Sequence, residues 1–99
     1  MNKRQLQNIT FNVPVQFFPQ GEVCIAYTPA LDLSTYGSNR VEAEQNFQEV
    51  ITTFFGSFED ERELGQVLES LGWRKNRTTW QPPKIDMQKV TLPASFLAA

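Results

Sequence analysis

The chain reads as an α+β protein: an antiparallel sheet of three or four strands with two helices packed on one face. Two observations predict this. Apolar residues alternate at a period of two through residues 9–17, and short strand-like runs follow at about Glu22–Thr28 and Leu33–Tyr36. The apolar residues then switch to helical spacing, in two capped runs, through residues 40–71. A period of two lines one face of a strand, and a period near 3.6 lines one stripe of a helix.

Residues 1–8 are polar and are expected to be a flexible N-terminus. Strand one follows, with Ile9, Phe11, Val13, Val15 and Phe17 on one face and Thr10, Asn12, Pro14 and Gln16 on the other. Pro14 removes a ladder donor, so this strand must be open on one side there or bulge. Pro19-Gln20-Gly21 is a turn. Strand two spans about Glu22 to Thr28 and makes a hairpin with strand one. Val23, Ile25 and Tyr27 face one way, Cys24 and Ala26 the other. Pro29 to Asp32 interrupts the pattern, and a short third strand ends at Gly37.

Asn39 is the expected N-cap of the first helix, with Glu42 three residues on as the acid of a capping box. The apolar stripe is Ala43, Phe47, Val50, Ile51, Phe54 and Phe58, and Gly56 ends the regular part. Phe55 cannot share the stripe with Phe54; a groove between the helices or a subunit contact is its expected place. A second helix starts at an Asp60 cap with Glu63 in the third position. Its stripe is Leu64, Val67, Leu68 and Leu71, and Gly72 stops it. Trp73 to Trp80 reads as a fourth strand, ended by Pro82-Pro83. Residues 81–99 form a tail with a weak strand signal around Met87–Leu92.

Composition limits the chemistry. Ninety-nine residues with 40% hydrophobic content suit one domain. The chain contains no histidine, so histidine acid–base catalysis is excluded. Ser34, Ser38 and Cys24 have no base nearby to activate them. Cys24 is the sole cysteine and lies within an apolar strand, which predicts a small packing residue in a reducing, cytoplasmic setting. No apolar run suggests a signal peptide or a membrane span. No catalytic residues, metal ligands or cofactor site are expected, and the protein is read as a non-enzyme.

The net charge is −2 but unevenly placed. Residues 40–72 hold Glu42, Glu44, Glu49, Glu59, Asp60, Glu61, Glu63 and Glu69 against only Arg40 and Arg62. Residues 73–99 hold Arg74, Lys75, Arg77, Lys84 and Lys89 against Asp86. This asymmetry points to a head-to-tail contact or to a basic partner.

The stretch from Gly21 to Ile51 resembles the HicB-like antitoxin family. The residues that carry the resemblance are Tyr27-Thr28-Pro29-Ala30-Leu31, Gly37-Ser38-Asn39 leading into Glu42-Ala43, and Leu64 through Leu68 to Leu71-Gly72-Trp73. It covers residues 9–80. It implies a partial ribonuclease H-like fold, with strand one inside the sheet between strand two and the last strand. It also implies an interaction protein of a bacterial-type toxin–antitoxin system. Such an antitoxin neutralises a small basic, HicA-like toxin that cleaves messenger RNA, by covering its active site.

Strand one carries no acid, so the paired-metal site of an active ribonuclease H fold is not expected. Residues 81–99 are too short and proline-broken for the DNA-binding module that many relatives append. Contact residues are therefore sought among Glu42, Glu49, Glu59 and Glu61, and at Trp73, Arg74, Arg77 and Trp80. The last four also offer an alternative reading, nucleic-acid binding through a basic aromatic strand. A further alternative is an orphan regulatory interaction domain. Surplus aromatics predict a homo-oligomer, at least a dimer.

Overall fold

The structure is a computed structural model that describes residues 8–98. The expectation of a flexible N-terminus over residues 1–8 falls, apart from Asn8, outside the described residues. The fold is α+β, with two helices and two three-stranded sheets. The strands are β1 (Thr10–Phe11), β2 (Gln16–Gln20), β3 (Val23–Thr28), β4 (Leu33–Gly37), β5 (Arg74–Asn76) and β6 (Thr79–Gln81). The helices are α1 (Arg40–Gly56) and α2 (Glu61–Ser70), and a short 3-10 turn spans Ala94–Ala98.

The single antiparallel sheet expected from the sequence is therefore two sheets. One has the order β2-β3-β4 and is antiparallel throughout. The other has the order β1-β6-β5, and its β1–β6 pairing is parallel. The division falls at Pro14. Residues 12–15 belong to neither strand, although the Asn12 amide still donates to the Trp80 carbonyl at 3.1 Å, and the chain passes through them from one sheet into the other. Proline cannot donate to a ladder, so the strand changes partners where the donor is missing. The apolar face still works as one. Ile9, Phe11 and Val13 pack on one core cluster, and Val13, Val15 and Phe17 on a second.

α1 lies over β3 and β4. Its Ala43 and Phe47 pack on Ala26, with Cys24 half-buried beside them. Small residues let helix and sheet approach closely. A Cβ built on Gly37 would fall 2.7 Å from the Glu42 carbonyl carbon and 2.9 Å from Ala43 Cα, so only glycine fits. The Glu42 amide donates to Asn39 Oδ1 at 2.8 Å, as the capping pattern predicts. The Glu42 carboxylate in turn accepts from the Ser38 amide and hydroxyl, one residue before the cap.

α2 repeats this device. The Glu63 amide donates to Asp60 Oδ1 at 2.9 Å, and the Glu63 carboxylate accepts from the Glu59 amide. Its end is a Schellman motif. The Gly72 amide donates to the Glu69 carbonyl and the Trp73 amide to the Leu68 carbonyl, with Gly72 at φ 93°. Leu71, expected in the apolar stripe, is the C-cap instead and is exposed.

Residues 73–80 are not one strand. They form the β5–β6 hairpin, which turns at Arg77 with φ 58°. The turn reverses the chain, so Trp73 and Trp80 both reach the core, where they are 1% and 3% exposed. Trp80 lies against α2, its Cζ2 3.3 Å from where a Cβ on Gly65 would be. Phe55 also turns inward and stacks on Phe11 with ring centroids 4.4 Å apart.

Candidate protein-binding surface

The side of the β2-β3-β4 sheet away from α1 carries an apolar row that sequence patterning did not single out. The register places Phe18 opposite Ile25, and Ile25 opposite Tyr36. Their neighbours Phe17, Ala26 and Thr35 point the other way, toward α1, because side chains alternate along a strand. The row thus crosses all three strands on the open face. Phe18 is 41% and Tyr36 63% exposed, and Ile25 is half-buried between them. Three aligned apolar side chains on an uncovered sheet face form an adhesive surface of the sort used in protein docking. The signal was present in Phe17-Phe18 and in the unbroken apolar run Val23–Tyr27. Both faces of that run are apolar, and alternation alone does not say which one a helix covers.

Polar groups frame the row. The Tyr27 hydroxyl donates to Asp32 Oδ1 at 3.1 Å. This bond to the carboxylate, more than partial desolvation or the nearby negative charge, raises the phenol above its ordinary value. Asp32 holds φ 53° in the β3–β4 turn, a conformation aspartate tolerates better than most residues.

A second surface lies on the helical side. α1 and β4 border an open groove lined by Leu33, Thr35, Asn46, Glu49, Val50 and Phe54, among others. Asn46 Nδ2 donates to the Tyr36 carbonyl at 2.8 Å and ties the helix to this strand. β4 is an edge of its sheet; no strand among the described residues pairs with its far side.

The structure disperses the contact residues proposed from sequence. Glu42 is spent on the α1 cap. Glu49 is exposed beside the groove, and Glu59 is exposed in the connection between the helices. Glu61 is half-buried and forms an ion pair with Lys75. Arg74 and Arg77 are exposed on the hairpin. Trp73 and Trp80 are core residues, and Trp73 Nε1 donates to the Ala30 carbonyl at 2.9 Å. The hairpin therefore presents cations without the aromatic faces that base stacking needs.

Glu44 and Glu49 are exposed on α1 and form no ion pair with another described residue. Among the described residues, no three Asp, Glu or Cys side chains stand close enough together to hold a metal ion. No helix among them is long and apolar enough to cross a membrane. Comparison with protein-family models, with curated proteins and with solved structures finds no match to this chain.

Proposed function

We propose that this chain is the binding core of a HicB-like antitoxin, which neutralises a small basic, HicA-like toxin by covering its RNA-binding surface. The observation that carries this reading is the uncovered row Phe18–Ile25–Tyr36. A row of that kind is costly to leave in water, and a protein partner relieves the cost. The carboxylates of Glu44 and Glu49 select the sign of the partner. A protein that grips RNA phosphates is basic, and an acidic field draws it in.

Strand order adds support for the partial ribonuclease H-like reading. The first half of strand one, β1, pairs with β6, and the second half, β2, pairs with β3 in the other sheet. These are the two neighbours that the resemblance assigns to strand one, here divided between two sheets. In this scheme the chain acts by occlusion and performs no bond-breaking step.

The test is co-expression with a small basic RNA-cleaving protein encoded beside this chain. The expected result is a complex that co-purifies and no longer cleaves RNA. Glu44→Lys with Glu49→Lys should slow association at low salt and have little effect at high salt, since steering is screened. Phe18→Ala with Tyr36→Ala should instead speed dissociation. Undiminished RNA cleavage in the presence of excess wild-type chain would sink the proposal.

A further inference from the structure

We infer that the C-terminal arm, residues 84–97, docks as an added strand on the β4 edge of a second copy of this chain, with each copy lending its arm to the other. The inference does not rest on the toxin reading: its contact is the α1–β4 groove and not the Phe18–Ile25–Tyr36 row, and the two share only Glu49.

The arm is apolar and uncovered. Met87 is 82%, Val90 72% and Leu92 67% exposed, and residues 82–93 form no regular secondary structure. The chain is correspondingly drawn out, with a radius of gyration of 17.1 Å and extents of 59 × 29 × 19 Å. A compact chain of this length has a radius of gyration of about 13 Å. An arm with this much apolar surface gains by burial.

The β4 edge supplies what the arm lacks. No strand among the described residues pairs with the far side of Leu33–Gly37, whose Tyr36 carbonyl accepts from Asn46 Nδ2, and the groove between β4 and α1 has the half-buried Leu33, Val50 and Phe54 along it. Gln88–Leu92 matches β4 in length. Val90 and Leu92, two residues apart, share one strand face and enter the groove together.

Charge favours a copy of this chain as the occupant. The arm brings Lys84 and Lys89 against Asp86, while the groove is bordered by Glu49 and belongs to the acid-rich segment 40–72. Every copy carries both halves of the contact, so a two-fold exchange satisfies both at once.

The experiment is sedimentation of the full chain over a concentration series. The expected result is a dimer. Val90→Glu with Leu92→Glu in the arm, and separately Val50→Glu in the groove, should each weaken it by roughly a hundredfold or more, with helical circular dichroism unchanged. Mixing the two variants should restore part of the association, because one arm and one groove remain intact. Groove damage that merely unfolded the chain would not be rescued in this way. A monomeric wild-type chain, or a dimer equally tight in the arm variant, overturns the inference.

Discussion

Trp73 and Ala30, 43 residues apart, are joined by an indole N–H to carbonyl bond of 2.9 Å inside the core. Both are buried, and the bond fastens the β3–β4 turn of one sheet to the entrance of the hairpin in the other. Trp80 sits in the same cluster, yet its Nε1 is buried without a partner among the described residues. The two indoles therefore differ in what replacement would cost. Trp73→Phe strands the Ala30 carbonyl and opens a cavity, and should cost about 3 kcal/mol. Trp80→Phe removes an unsatisfied donor along with apolar surface and should cost distinctly less. Urea denaturation of the two variants checks this, and equal losses would contradict it.

Gly37 is held where the end of β4 meets the first turn of α1. A methyl group there meets main-chain atoms that cannot move aside without shifting the helix. Gly37→Ala should destabilise the protein by about 2 kcal/mol or more, the usual range for overpacking a tight contact. Gly56→Ala serves as the control, since a Cβ there meets nothing within 4 Å. The thermal midpoints of the two variants should separate clearly.

Thr28 is fully buried at the end of β3, and its Oγ1 has no hydrogen-bond partner among the described residues. Replacing the hydroxyl with a methyl of nearly the same shape removes that penalty. Thr28→Val should raise stability by about 1 kcal/mol. A loss on denaturant titration would show that the hydroxyl is satisfied in solution.

Tyr27 provides a pH-dependent reporter. Its phenol is raised above 10.0 by donation to Asp32. The group that gains in the folded state is the neutral phenol. Its contribution is complete below the ordinary value and is lost as pH climbs through the raised one. Asp32→Asn should bring the titration back toward 10.0, read as tyrosinate absorbance in a Tyr36→Phe background. An unchanged titration would mean that the bond is absent in water.

Helix boundaries were legible in the chain because the groups that set them are three to five residues apart. Asn39 with Glu42, Asp60 with Glu63, and Leu68 with Trp73 around Gly72 each close locally, without help from distant segments. The core-facing residues Ile9 to Phe17 were legible for a related reason, since alternation is a local pattern, and β3 and β4 were legible from the Gly21, Pro29 and Gly37 that bound them. Pro14 announced an interruption, but not that the strand would change partners across it.

What only the tertiary structure decided are contacts between distant segments. The strand break is resolved by β6, whose Thr79 accepts the Thr10 hydroxyl's hydrogen bond from 69 residues away. The reversal at Arg77 sends both tryptophans inward, where a single strand would have divided them. The face of β3 that α1 covers leaves Ile25 in line with Phe18 and Tyr36 on the open side. A chain's local pattern states that a face is apolar. Which apolar face is buried depends on the other elements that reach it, and that is settled only when the whole chain packs.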